Sequence, residues 1–162
     1  MHKTAVIYWS RTGNTEAMAK AIERGLRAGG SQTTLLRVSE TGASVAERYD
    51  RFALGCPAMG KEVLEERRFD PFFTAIEKNL RGKRVALFGT YGWGNGKWMR
   101  DWQTRVIATG ARLFEQGLIF QVENPLVTRI KRIFGREKKP DEAACFAFGK
   151  RFAADETEKG EL

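Results

Sequence analysis

Short apolar stretches alternate with longer amphipathic stretches along most of the chain. Residues 5–9 (AVIYW) are continuously apolar, and in the segment that follows, Met18, Ile22 and Leu26 have helical spacing. The pattern predicts strands at residues 4–9, 32–37, 50–54, 84–89 and 111–122, and helices at residues 14–27, 71–80, 96–109 and 141–153, with a short helix around residues 45 and 46. Strands that alternate with helices indicate right-handed crossovers and a parallel sheet covered on both faces.

The length of 162 residues fits one domain. We expect this domain at residues 1–154, followed by a polar tail at residues 155–162 that frays. No apolar run is long enough to span a bilayer, and the first one lacks a cleavage-site pattern, so we expect a cytoplasmic protein. Cys56 and Cys145 lie far apart without a C-x-x-C spacing, which favours buried thiols. With His2 as the single histidine, we expect no metal site and no Ser-His-Asp triad.

The most distinctive polar segment, residues 10–15 (SRTGNT), joins the first predicted strand to the first predicted helix. Unpaired N–H groups at a helix start and the helix dipole favour an anion, and the hydroxyl and amide side chains add donors. The segment lacks the lysine of a nucleoside-triphosphate loop and the glycine pattern of a dinucleotide site. It therefore favours a monophosphate. Taken alone, it is equally consistent with a simple helix cap.

Two further loops follow predicted strands 3 and 4, at residues 56–62 (CPAMGKE) and residues 89–96 (GTYGWGNG). Ligands of open parallel sheets bind outside the carboxyl ends of the strands, so we expect all three loops to line one crevice. Met59, Tyr91 and Trp93 offer apolar surfaces among glycines. Together the loops predict a ligand with a planar ring and a phosphate tail.

These three segments, met in this order, resemble the loops of short-chain flavodoxins of the clostridial kind. The likeness extends to about residue 126 and returns more weakly at residues 140–150. The resemblance implies an α/β fold, a flavodoxin-like doubly wound five-stranded parallel sheet of order 2-1-3-4-5, and non-covalently bound FMN. The cofactor-binding residues that it implies are Ser10, Arg11, Thr12, Gly13, Asn14, Thr15, Pro57, Ala58, Met59, Gly60, Lys61, Glu62, Gly89, Thr90, Tyr91, Gly92, Trp93, Gly94 and Gly96.

The resemblance also implies individual roles. Trp93 would stack on one face of the flavin ring and Met59 would cover the other. Glu62 matches the carboxylate that bonds the flavin N3–H, with a solvated acid at a helix start as the alternative. The peptide between Gly60 and Lys61 matches one that reorients on one-electron reduction, when its carbonyl accepts from the flavin N5–H. Lys61 is an unusual cation at that place.

Three other tryptophans need an interpretation. Trp98 and Trp102 lie four residues apart on a predicted helix and are expected to pack in the core. Trp9 ends the first predicted strand and is expected beside the site.

The resemblance implies a low-potential one-electron carrier that shuttles electrons between redox proteins and is not an enzyme, so we expect no catalytic residues. The alternative on the same fold is an FMN-dependent NAD(P)H or quinone reductase, but the chain shows no insertion that would build a substrate pocket. A nucleic-acid binder is disfavoured, because the aromatic residues cluster in the predicted flavin loops and no recognition motif appears.

The net charge of +8 is unusual, because flavodoxins are usually acidic. Residues 127–139 form a basic insert between predicted strand 5 and the last predicted helix, where related short chains have almost no residues. The insert predicts a docking element for an acidic redox partner, of the flavoprotein or iron–sulfur kind. A solvated loop is the alternative interpretation. We expect a monomer.

Overall fold

A parallel β-sheet runs through the middle of the computed structural model, which describes residues 2–123 and 138–156. Its strands are β1 Lys3–Tyr8, β2 Gln32–Arg37, β3 Arg51–Gly55, β4 Arg84–Tyr91, β5 Arg112–Leu113 and β6 Leu118–Gln121. The strand order is β2-β1-β3-β4, followed by a fifth position that β5 and β6 share beside β4. All these pairings are parallel, which confirms the predicted fold class.

The fifth strand position differs from the single strand predicted at residues 111–122. Both β5 and β6 pair with β4, but residues 114–117 interrupt the ladder between them. Glu115 lies in this interruption with φ 49°, a left-handed conformation that a regular strand does not accommodate. The sequence pattern did not reveal this break, because the apolar residues continue on both sides of it.

Helices cover both faces of the sheet. They are α1 Asn14–Ala28, α2 Val45–Arg48, α3 Phe69–Ile76, α4 Lys97–Ala108 and α5 Glu142–Ala154, with short 3₁₀ turns at Val38–Glu40 and Glu77–Asn79. One core cluster contains the apolar faces of α1 and α5, and the other contains those of α3 and α4. These bounds lie within about two residues of the predicted ones, except that α3 ends at Ile76, four residues before the predicted end, where a 3₁₀ turn follows. Helix α3 begins earlier than Pro71, because the buried Glu65 carboxylate accepts hydrogen bonds from the N–H groups of Arg67, Arg68 and Phe69.

Helices α1 and α5 approach each other closely through two glycines. A Cβ on Gly25 would lie 2.0 Å from the carbonyl oxygen of Phe146, and one on Gly149 would lie 2.2 Å from that of Ile22. A side chain at either position would push the helices apart. Because α1 directly follows the loop at residues 10–15, this packing fixes the direction in which the N-terminus of α1 points.

The strand register aligns the carboxyl ends of the three central strands. Tyr8 of β1 pairs with Gly55 of β3, and Gly55 pairs with Phe88 of β4. The loops that follow these strands therefore leave the sheet at the same edge. These are the three loops in which the sequence analysis places the ligand.

The opposite edge of the sheet is closed by charged residues. Arg51 is fully buried and donates to the carbonyl oxygens of Phe152 (2.7 Å) and Asp155 (2.5 Å). Arg84 forms an ion pair with the Asp155 carboxylate. Asp155 was expected to begin a fraying tail, but these contacts hold it against the sheet. Residues 157–162 of that tail, and residues 127–137 of the basic insert, lie outside the described residues.

Within residues 2–123 and 138–156, no helix is both long and apolar enough to cross a membrane.

Candidate functional site

The phosphate loop, residues 10–15, is folded around the hydroxyl of Ser10. Ser10 Oγ accepts from the N–H groups of Gly13 (3.1 Å) and Glu16 (3.3 Å). Gly13 has φ 94° and precedes α1 without a side-chain cap. No hydrogen bond within the described part of the chain uses the N–H groups of Asn14 or Thr15. These open donors, at the positive end of α1, form a site for an anion.

Hydroxyl and charged side chains surround these open amides. Asn14 Nδ2 donates to Thr12 Oγ1 (3.3 Å), and the buried Thr15 hydroxyl meets that of Thr90 on β4 at 3.4 Å. Arg11 is exposed. The loop is therefore tied to the strand that leads into the third loop, which brings two of the predicted segments together.

The second loop is a tight hairpin. Met59 and Val63 exchange both backbone hydrogen bonds, at 2.8 and 3.0 Å, and enclose residues 60–62. Gly60 and Glu62 lie in the left-handed region, with φ 49° and 53°. A Cβ at Gly60 would have no heavy atom within 4 Å, so the backbone conformation, rather than packing, favours glycine there. Lys61 between them is exposed.

The start of the second loop is attached to β4 and α4. Ala58 N donates to the carbonyl oxygen of Thr90 (2.9 Å), and the buried Trp98 indole N–H donates to that of Cys56 (3.1 Å). Cys56 itself is buried, and burial raises the pKa of its thiol well above the usual range. The thiol is therefore held as a neutral packing group. Pro57 and Met59 are half-buried at the surface of this attached segment.

The third loop exposes a large aromatic side chain. Trp93 is 63% exposed, whereas Trp98 and Trp102 are buried in the core, which confirms the packing predicted for the latter two. Gly96 ends the loop with φ 84° and precedes α4. Arg100 donates to both the carbonyl oxygen (2.6 Å) and the side-chain oxygen (2.9 Å) of Asn95. The loop backbone is thus held, while the Trp93 ring is left open to a ligand.

Glu62 joins the second loop to the third. One carboxylate oxygen, Oε1, accepts from the N–H groups of Asn95 (3.0 Å) and Lys97 (3.1 Å). A Cβ on Gly94 would lie 2.4 Å from the Glu62 Cδ atom, so a side chain there would displace the carboxylate. We call this contact the Glu62 bridge. The second oxygen, Oε2, has no hydrogen bond within the described part of the chain.

The structure brings all three predicted loops to one edge of the sheet and places the predicted site residues on them. Trp9 is half-buried and lines a cavity beside the phosphate loop. Of the predicted basic insert at residues 127–139, the structure describes only Lys138 and Lys139. Of these, Lys138 contacts Gln121 at the end of β6.

Sequence reasoning missed a polar network beside the phosphate loop. The Tyr8 hydroxyl donates to Glu16 Oε1 (2.9 Å), and Arg37 contacts both Tyr8 and Glu16 at 3.4 Å. The Tyr8 hydrogen bond, aided by Arg37, lowers the pKa of Glu16, and burial raises the pKa of Tyr8. No local sequence signal marks this network, because its three members come from three different elements.

The chemistry of the three loops fits FMN. Open amides and hydroxyls at the start of α1 suit a phosphate, and the exposed Trp93 indole suits an aromatic ring. The free oxygen of Glu62 suits an N–H donor on the ring edge. No group of residues that could hold a metal ion is found in the described part of the chain.

The chain matches the family model described as flavodoxin over residues 6–149. It is 43% identical to the flavodoxin of Clostridium beijerinckii over 150 residues, which cover 91% of this chain and 97% of that protein. It is 45% identical to the flavodoxin of Megasphaera elsdenii over 114 residues, which cover 70% and 83% of the two chains. The solution structure of two-electron reduced Megasphaera elsdenii flavodoxin superposes with a TM-score of 0.77 at 37% identity, covering 94% of this chain and 99% of that one.

Proposed function

We propose an arrangement of cofactor and partner from one premise: the chain belongs to the flavodoxin family. It is an FMN-binding, low-potential electron carrier and not an enzyme, and its partners are redox proteins. What the premise leaves open is which residues of this chain hold FMN and which surface meets a partner. The open amides at the start of α1 carry the proposal, because they lie at the same sheet edge as the exposed Trp93.

The phosphate loop would hold the FMN phosphate. The N–H groups of Asn14 and Thr15 and the hydroxyls of Ser10 and Thr12 are donors of the kind that a dianionic phosphate requires. Arg11 would add a positive charge at the exposed side of the loop. Gly13 supports this role, since its left-handed conformation turns the chain into α1 without a side chain over the helix start.

The second and third loops would hold the ring, which supplies one-electron chemistry when FMN is bound. Trp93 would stack on one face and Met59 would cover the other. The Glu62 bridge supports this arrangement, because it fixes the two loops to each other before any ligand arrives and leaves Oε2 for a ring N–H. The remaining members of this proposed site are Pro57, Ala58, Gly60, Lys61, Gly89, Thr90, Tyr91, Gly92, Gly94 and Gly96.

Two groups in these loops bear on electron transfer. The Gly60–Lys61 peptide lies in the hairpin closed by Met59 and Val63, and Gly60 carries no side chain to oppose its reorientation. The Lys61 ammonium would stabilise added negative charge near the ring. It would therefore raise the potential of the second, more negative one-electron reduction step. Residues 1–154 would form the single FMN-binding domain.

For partners, the net charge of +8 favours proteins with an acidic docking face, met by a monomer. The two cysteines in the described ranges are free and buried, and this supports the proposed cytoplasmic location.

A titration with two ligands tests the site assignment. FMN-free protein is titrated with FMN and, separately, with riboflavin, which lacks the phosphate, and flavin fluorescence quenching gives both affinities. Replacing Thr12 by Ala should weaken FMN binding about tenfold or more, the value of one hydrogen bond to a charged group, and leave riboflavin unaffected. The control is Ser44→Ala at an exposed position without a side-chain cap. Equal losses for FMN and riboflavin would remove Thr12 from the phosphate site.

A further inference from the structure

A cavity of about 530 Å³ opens beside the phosphate loop, whose Ser10, Arg11 and Gly13 form part of its lining. Its lining includes Trp9, Arg11, Glu16, Arg37 and Arg68. Three arginines face one carboxylate in this lining, so the cavity is positively charged. Its volume lies within the range of about 300–1,000 Å³ that is usual for ligand sites.

The positive charge is only partly compensated within the described part of the protein, by the ion pair between Arg37 and Glu16. The guanidinium groups of Arg11 and Arg68 have no hydrogen bond or ion pair within the described part of the chain. Arg37 is held in place, since Tyr8 and Glu16 both contact it. The Glu16 carboxylate already accepts from the Tyr8 hydroxyl and lies 3.7 Å from Lys20. The Glu16 carboxylate, the single acidic group of the lining, therefore already has partners within the protein.

A buried side chain supports the polar network beneath the cavity. Tyr8 is 4% exposed and ends β1, and its hydroxyl connects Glu16 on α1 to Arg37 at the end of β2. Burial of the Tyr8 ring fixes one end of this connection. Arg37 contacts this network at 3.4 Å through a side chain that is 63% exposed, so its guanidinium is open to an anion at the cavity lining.

The strand order separates this cavity from the proposed ring site. The three cofactor loops follow β1, β3 and β4, which are neighbours in the sheet. Arg37 ends β2, which lies on the other side of β1 from β3, and Arg68 precedes α3. Arg37 thus comes from a strand end outside the cofactor loops, Arg68 lies in the connection between β3 and α3 after the second loop, and Arg11 belongs to the phosphate loop itself.

We propose that this cavity docks carboxylate side chains of an acidic redox partner, so that the partner binds beside the FMN phosphate end of the carrier. The inference rests on the proposed function, since it needs the phosphate in the adjacent loop and electron exchange with a protein. Guanidinium groups pair with carboxylates through two parallel hydrogen bonds, and with Arg11 facing the FMN phosphate, the unpaired Arg68 and the exposed Arg37 remain for a partner. The net charge of +8 would steer an acidic protein toward this face.

Charge reversal at one residue tests the proposal in the FMN-loaded protein. Arg68→Glu changes the lining without touching the phosphate loop, and Arg48→Glu makes the same charge change at the exposed end of α2, near the opposite edge of the sheet. The probe is an acidic [2Fe–2S] ferredoxin, and electron exchange is followed by stopped-flow absorbance. Two units of charge about 6–9 Å from a carboxylate in water change the rate about five- to tenfold at low ionic strength. We expect this loss for Arg68→Glu and less than about twofold for Arg48→Glu.

Binding is checked without electron transfer by NMR of the oxidised, FMN-loaded protein with ¹⁵N-labelled tryptophan. A tetraglutamate peptide should shift the indole signal of Trp9, which lines the cavity, and leave those of the buried Trp98 and Trp102 in place. Inorganic phosphate is the second ligand. If phosphate shifts Trp9 at lower concentration than the peptide, the cavity is a small-anion site and the proposal is overturned.

Other outcomes separate this inference from the proposed function. Equal slowing by Arg68→Glu and Arg48→Glu would mean that only net charge matters, and would overturn the inference. Loss of FMN from Arg68→Glu would make the cavity part of the cofactor site and would overturn it too. Failure of the unmodified protein to distinguish FMN from riboflavin would instead contradict the proposed phosphate loop.

Discussion

The Glu62 bridge should determine how firmly the second and third loops are joined before FMN binds. Its carboxylate oxygen accepts two backbone N–H groups, those of Asn95 and Lys97. Glu62 itself has φ 53°, a conformation that costs a residue with a side chain about 1–2 kcal/mol. The two hydrogen bonds offset this cost. Replacing Glu62 by Ala removes them and keeps the unfavourable backbone, so we expect a measurable loss of stability.

The magnitude follows from the partners. A hydrogen bond to a charged group contributes about 1.5–3 kcal/mol, but Glu62 is only half-buried, which places each bond toward or below the lower end of that range. The carboxylate also lies at the start of α4, where a negative charge contributes about 0.3–1 kcal/mol. We expect Glu62→Ala to lower the free energy of unfolding by about 2 kcal/mol. Glu62→Gln keeps an acceptor but loses the charge, and should cost about half as much.

Urea unfolding of the FMN-free protein, followed by far-UV circular dichroism, measures these differences. The matched control is Glu66→Ala, an exposed glutamate in the next few residues of the chain. Amide hydrogen exchange adds a local readout, because the N–H groups of Asn95 and Lys97 should exchange faster once their acceptor is removed. If Glu62→Ala and Glu66→Ala cost the same, or if both amides keep their protection, the bridge does not form in solution.

Three further changes test other parts of the site. Gly60→Ala should lower the free energy of unfolding by about 1 kcal/mol in the same urea assay, because residue 60 has a left-handed backbone. Gly42→Ala, at an open position without positive φ, should leave it unchanged. Equal effects of the two substitutions would contradict this account of Gly60. Trp93→Ala should weaken FMN binding by about 1–3 kcal/mol, and Trp93→Phe should restore most of it; an unchanged FMN affinity in Trp93→Ala would mean that the ring does not stack. Burial raises the pKa of the Cys145 thiol from 9.0 to about 12, so it should react with a disulfide reagent at pH 8 only as urea unfolds the protein. The same raised pKa means that its contribution to stability is complete below pH 9 and declines as the pH rises toward 12; rapid labelling without urea would contradict the burial.

The arrangement of strands and helices could be predicted from local patterns. The bounds of α1 and of the strands on either side of it were predicted within a residue or two. The signals were the apolar runs, the helical spacing after Gly13, and the glycines at positions 29 and 30. The single strand predicted at the fifth position was wrong, because Glu115 interrupts the ladder. Gly117, which ends the break, is the only local signal of it, and the prediction did not use it. Hydrophobic periodicity does not report a left-handed residue that is not glycine.

The sequence predicts which loops form the candidate site, but not the contacts between those loops. The sequence identifies residues 10–15, 56–62 and 89–96, since each follows an apolar run; the first is rich in hydroxyl groups, the third is rich in glycine, and the second has Met59 beside a glycine. It does not identify the Glu62 bridge or the contact between Arg100 and Asn95. The bridge depends on how the hairpin after Met59 faces the start of α4, which only the tertiary fold determines.

The buried Arg51 has a consequence for how this fold can be joined to other molecules. It contacts both His2 and Asp155, so these two residues lie together at the edge of the sheet farthest from the cofactor loops. An attachment made at His2 or at Asp155 would therefore lie on the side away from those loops. A fusion partner or an electrode tether joined at either residue would leave the electron-exchanging face turned toward solution.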